Sequence, residues 1–193
     1  CVSRRAIDIS GHGNSTWSLP KKPLKLRFPS GQATSVLGMP ASRHWRALAN
    51  FYDRTQLRNA IAFEMMRRIY SPWTPRSVFA ELFIDGLYQG VFQITESVRA
   101  EPDRLPVSLP SASATGLDAT GAFMMEINTR YVAEGEPGFT TATSSVPIRA
   151  TKDSERFGST PSRRRSRTAR MRLVPWVTPS VNSRRTSSWK SRR

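Results

Sequence analysis

A turn-forming run, Gly11-His12-Gly13-Asn14-Ser15-Thr16, is followed by Lys21-Lys22 and then Lys25. Glycine and asparagine tolerate the positive φ that a tight turn needs. Backbone N–H groups in such a turn can cradle a phosphate, and a lysine on the next strand can neutralise it. An ordinary hairpin turn satisfies the same residues. Asn14-Ser15-Thr16 also has the form of a glycosylation sequon.

Further along the chain, a helix, a hairpin and an acidic residue follow the lysines. The small lobe of a protein kinase uses that order, with a strand lysine on the nucleotide phosphates and a helix residue to orient it. Lys22 and Lys25 are the lysine candidates here. Arg58, Asn59 and Glu64 are the helix candidates, and Glu96 is the acid at the strand exit. Glu64 shares a helical face with Leu57, Ala60 and Ile61. It is either buried and in need of a cation, or an exposed partner of Arg68 four residues on. His12 and His44 have no carboxylates at ligand spacing, so they predict no metal site. Ser15 sits in no nucleophile elbow.

The elements that must position these residues follow from periodicity. Residues 6–9 alternate as a short strand. Leu24, Leu26 and Phe28 share one face of a second strand, with Lys25 and Arg27 on the other. Asp53 is an N-cap candidate with Gln56 three residues on, for a helix from about Arg54 to Ile69. Leu57, Ala60, Ile61, Met65 and Ile69 predict its buried face, and Arg67 and Arg68 suit its last turn. Pro72 and Pro75 close it. Val78 to Ile84 reads as a strand, Asp85-Gly86 as a hairpin turn, and Gly90 to Thr95 as the partner strand. Residues 100–120 read as a loop, and Gly121 to Thr129 as a further strand carrying Glu126. The order predicts an α+β lobe.

The chain has 193 residues, with Lys+Arg 30 and Asp+Glu 14, a net charge of +16. Residues 1–143 hold 16 basic and 12 acidic side chains, whereas residues 144–193 hold 14 and 2. The second segment is Arg/Ser/Thr-rich, with Arg163, Arg164, Arg165, Arg167, Arg170 and Arg172 close together. It is expected to be disordered in isolation. A polyanion-binding arm, an inert tail and a frame error in GC-rich DNA all fit this composition. Aromatic residues are too sparse there for a stacking RNA tail. Nucleic-acid binding is therefore expected only nonspecifically, through the basic tail. No apolar run is long enough for a membrane helix. The single cysteine, Cys1, excludes an internal disulfide framework. A chain starting at Cys rather than Met is expected to lack its true N-terminus.

Several blocks together resemble the CotH family, the spore-coat CotH-like protein kinases. They are Gly13-Asn14-Ser15-Thr16-Trp17, Lys21-Lys22-Pro23 with Lys25 and Phe28, and Leu48-Ala49-Asn50-Phe51-Tyr52-Asp53 with Leu57-Arg58-Asn59. Glu81 to Phe92 through Thr95-Glu96, Gly121 to Asn128, and Phe139-Thr140-Thr141 continue the series. The resemblance spans about residues 5–143. It implies an atypical protein-kinase-like fold, here a small lobe plus the start of a large one, truncated, with residues 144–193 as a separate basic tail. It implies ATP with Mg2+ or Mn2+ as cofactors, and Ser or Thr of Ser-rich spore-coat or secreted proteins as substrate. It also implies a spore-coat, cell-surface or secreted location. By position, Lys22, Lys25, Arg58, Asn59 and Glu96 become candidate ATP and phosphate contacts, with Glu126 a further candidate for the same cleft.

Two departures stand out. His12 occupies a position where family members usually carry arginine, and a neutral imidazole does not replace a guanidinium fork. The family's late Trp-Asp-x-Asp-like acidic segment has no match in residues 144–193, where Asp153 and Glu155 are the only acids. Phosphoryl transfer needs carboxylates for the metal, so the chain as given is expected to be inactive. A non-enzymatic coat or surface assembly protein with a polyanion-binding basic tail is the competing expectation.

Overall fold

The computed structural model describes residues 2–13, 15–69, 73–107, 124–127, 138–141, 144–151 and 166–176. The elements run β1 (Val2–Gly11), a 3-10 turn (Ser15–Ser18), β2 (Leu24–Arg27), β3 (Thr34–Val36), β4 (Met39–Ser42) and β5 (His44–Leu48). Then come α1 (Arg58–Ile69), β6 (Ser77–Ile84), β7 (Leu87–Glu96), β8 (Met124–Ile127), β9 (Gly138–Thr141), β10 (Ser144–Thr151) and β11 (Arg167–Pro175).

Six strands close into a barrel in the order β1-β11-β6-β7-β5-β2. β8, β10 and β9 form a separate three-stranded sheet, and β3 and β4 a two-stranded one. This overturns the expected α+β, kinase-like lobe. The described residues are mostly strands, with one α-helix. Closure removes free sheet edges by pairing every strand on both sides.

The closing strand is β11. It pairs antiparallel with β1 (Ile7 opposite Ala169) and with β6 (Leu82 opposite Leu173). It lies within the segment expected to be disordered in isolation, yet Ala169, Met171 and Leu173 are buried in the barrel core. The reason is alternation with period two, which sends these three inward while Thr168, Arg170 and Arg172 face out. The arginine content of the segment hid that pattern.

The core is contiguous and built from every barrel strand. Ile7 and Ile9 of β1, Leu26 of β2, Trp45 and Ala47 of β5, Leu82 of β6, Ile94 of β7 and Leu173 of β11 all belong to it. Trp45 satisfies its indole N–H inside the core, donating to the Ser42 carbonyl at 2.9 Å.

The β6–β7 hairpin turns at Asp85-Gly86, both residues with positive φ (51° and 86°), as the sequence predicts. β7 carries a bulge near Gly90, where the register shifts.

The helix differs from expectation in two ways. It starts at Arg58 rather than about Arg54, because Gln56 takes a positive φ (59°) that no helical residue can hold. Its apolar face is also not buried: Leu57, Ile61, Met65 and Ile69 are 49%, 53%, 54% and 70% exposed. No side chain of α1 is buried. Glu64 accordingly points to solvent and pairs with Arg67 and with Arg68, the latter at 2.7 Å. No helix among the described residues is long and apolar enough to cross a membrane.

Candidate functional site

The segment between β1 and β2 is a compact loop. His12 N–H donates to the Pro23 carbonyl at 3.0 Å and closes its base. Gly13 has a φ of 81°, and a Cβ there would run into Thr16 Oγ1. Glycine is therefore required at this turn. Lys22 reaches back into the same loop. Its ammonium donates to the carbonyls of Trp17 (2.8 Å) and Leu19 (2.9 Å) and lies 5.3 Å from the Trp17 ring centre.

Lys21 turns the other way, toward the barrel. Its ammonium donates to the Val91 carbonyl and sits 4.4 Å from the centre of the Phe92 ring. The Lys21 stem passes over Gly90, whose Cβ position lies at van der Waals distance, 3.6 Å, from Lys21 Cε. Partial burial pushes the Lys21 pKa down, since desolvation disfavours the ammonium.

The second wall comes from the segment joining β5 to α1. Asp53 organises it. Its carboxylate accepts from Thr55 Oγ1 (2.6 Å), Thr55 N–H (3.0 Å) and Arg58 N–H (2.8 Å), and so caps the helix start. The Thr55 hydroxyl, and then the two backbone N–H groups and Arg58, hold the Asp53 carboxyl below its usual pKa. Asn50 ties this segment to the barrel. Its amide donates to Gln56 O (3.2 Å) and to Gln93 Oε1 (2.9 Å), and its own oxygen accepts from Asn59 (2.8 Å). Buried Gln93 continues the chain to Ser77 Oγ at 2.8 Å. Both side-chain polar atoms of Asn50 and of Gln93 have partners, which ties the helix start to the sheet.

Between these walls lies a cleft of about 400 Å³. His12, Gly13, Lys21, Asn50, Arg58 and Asn59 line it, along with neighbours from both segments. That volume falls in the range of small-ligand sites. Lys21 and Arg58 supply positive charge, and the Asp53 carboxylate already serves the loop and helix.

Of the sequence candidates, the fold brings Arg58 and Asn59 together at this cleft. Lys22 is held inside the β1–β2 loop. Lys25 stands on β2, in register with Ser10 and Arg46. Glu126 lies on β8, opposite Arg149, in the separate three-stranded sheet. Glu96 closes β7 as a buried carboxylate. It takes Arg76 Nε and Nη2, each at 3.0 Å, and Arg104 Nε lies 3.9 Å away. Lys21, Asn50 and Gln93 were missed as site residues. Asp53, five residues before α1 begins, was the available signal for the helix cap.

A divalent ion does not fit these residues. Among the described residues no group of three or more His, Cys, Asp or Glu side chains could hold one. The carboxylate lining the cleft, Asp53, is engaged by three hydrogen bonds. His44 stands apart, pushed down to about 3 by burial and by Arg99, Arg27, Arg43 and Arg46.

A family model described as CotH kinase protein matches residues 9–117, which takes in both walls of the cleft. No curated protein and no solved structure matches the chain.

Proposed function

The chain belongs to the CotH kinase protein family, and from that premise we propose that its cleft receives the phosphate-bearing end of ATP. In this reading the nucleotide serves transfer of a phosphoryl group to Ser or Thr of secreted or spore-coat proteins. The observation that carries the reading is the convergence of Lys21, Arg58 and the Gly13 turn on one cleft, from segments more than thirty residues apart.

Each group has a task in that reading. The Gly13 turn sets the course of the β1–β2 backbone along the cleft. Lys21 uses one of its N–H groups on Val91 and presents the remainder to an anion. Arg58 offers a planar fork suited to phosphate oxygens. Asn50 and Asn59 hold the helix start in place and so set where Arg58 stands. Phosphoryl transfer also asks for metal-holding carboxylates, and the described residues of the cleft do not fit that part. No metal step is derived, and the proposal for these residues is nucleotide phosphate binding.

Titration of the chain with ATP by calorimetry tests this. Lys21→Ala and Arg58→Ala are each expected to weaken binding about tenfold. Binding that survives both changes, or no ATP binding by a folded chain, would overturn it.

A further inference from the structure

The outer face of the barrel carries a second constellation, independent of the cleft. Arg172 stands opposite Phe83 in register, and its guanidinium lies 4.4 Å from the centre of that ring. The Phe83 ring in turn meets Tyr88, with 5.2 Å between ring centres. A groove of about 400 Å³ runs along these side chains, lined by Phe83, Asp85, Gly86, Arg170, Met171 and Arg172.

Its lining carries one carboxylate and two guanidiniums. Asp85 is consumed within the fold: Oδ1 accepts the Arg170 backbone N–H at 2.8 Å, and Oδ2 accepts Arg167 at 3.0 Å. Arg170 and Arg172 make no ion pair among the described residues. Arg172 is held flat by the ring beneath it, which lowers the entropy lost when it binds a planar anion. On the same face Tyr88, opposite Phe83 in register, is 56% exposed. Two guanidiniums without an ion pair among the described residues, beside an exposed aromatic ring, match a partner that offers carboxylates next to an apolar side chain.

We propose that the groove between the β6–β7 hairpin and β11 docks an acidic peptide segment. Carboxylates of that segment meet Arg170 and Arg172, and an adjoining apolar side chain packs on the exposed Tyr88 ring. A single-stranded nucleic acid fits less well. It needs successive open rings for stacking, and the Phe83 face is already covered by Arg172.

The test is calorimetric titration of the full chain with a glutamate-rich peptide bearing one leucine, beside an oligothymidylate of equal charge. The peptide is expected to bind, more weakly as salt rises. The double variant Arg170→Ala/Arg172→Ala should weaken binding about tenfold or more. Its thermal melting should fall only slightly, through the lost contact of Arg172 with the Phe83 ring, because both side chains lie outside the core. Absence of peptide binding would overturn the proposal, as would binding that survives the double variant. Loss only on neutralising Arg163, Arg164 and Arg165 would assign the binding elsewhere. Tighter oligothymidylate binding through Arg170 and Arg172 would make the groove a nucleic-acid surface instead.

Discussion

Arg76 grips the buried carboxylate of Glu96 through two side-chain bonds of 3.0 Å, and its own backbone N–H adds a third at 2.8 Å. The Glu96 side chain has no exposure. Arg104, also buried, stands over the Trp45 ring at 5.0 Å, with Nε 3.9 Å from the same carboxylate. Removing one member of a buried pair leaves the other charge uncompensated. Glu96→Ala is expected to cost about 3–5 kcal/mol in urea unfolding. A loss below about 1 kcal/mol would show that solvent screens the cluster.

Acid should destabilise the fold through His44. Its folded pKa lies near 3, below the ordinary 6.5, because burial and four arginines disfavour the imidazolium. Between those values the unfolded chain binds a proton that the folded chain refuses. Stability therefore falls as pH drops from about 6.5 toward 3, by at most about 1.4 kcal/mol per pH unit from this group. Above 6.5 the group contributes no slope. His44→Gln should flatten the stability profile between pH 6.5 and 5, measured by urea midpoints. An unchanged slope would rule the residue out as its source.

Gly13→Ala tests the turn at the cleft. The substitution forces an L side chain to a φ of 81° and into Thr16 Oγ1. The strain alone is about 1–2 kcal/mol. ATP binding should weaken more than barrel stability does, since the loop lies outside the core. Wild-type affinity in the variant would mean the turn takes no part in the site.

Two truncations of similar chemistry should diverge. Leu173→Ala opens a cavity at a fully buried position of β11 and is expected to cost about 2–5 kcal/mol. Ile61→Ala removes a half-exposed side chain of α1 and should change stability by under about 0.5 kcal/mol. Chemical denaturation of both variants distinguishes the barrel from an alternative in which the helix face supports the core and β11 does not.

Local signals were legible in the sequence. The Asp85-Gly86 turn, the strands flanking it and the alternation of Leu26 with Arg27 follow from neighbours a few residues apart. So did the family blocks, and with them Arg58 and Asn59, which line the cleft. The choice between Lys21 and its neighbour Lys22 was not legible. Both are adjacent lysines after a turn, and the groups that separate them, the Val91 carbonyl and Phe92 ring for Lys21 and the Trp17 and Leu19 carbonyls for Lys22, come together only in the folded chain. Asn50 was equally silent, because its partner Gln93 is 43 residues away.

The sequence by itself therefore determined the hairpin turn, five of the eleven described strands and the existence of one helix, since these rest on φ preferences and short-range periodicity. The tertiary structure alone decided that the strands close into a barrel, that an arginine-rich segment supplies the closing strand, and that the helix keeps its apolar face in water. Burial is the reason. Ala169, Met171 and Leu173 gain a core only when β11 pairs with β1 and β6, and a stretch read in isolation shows its arginines but not the strands that await it.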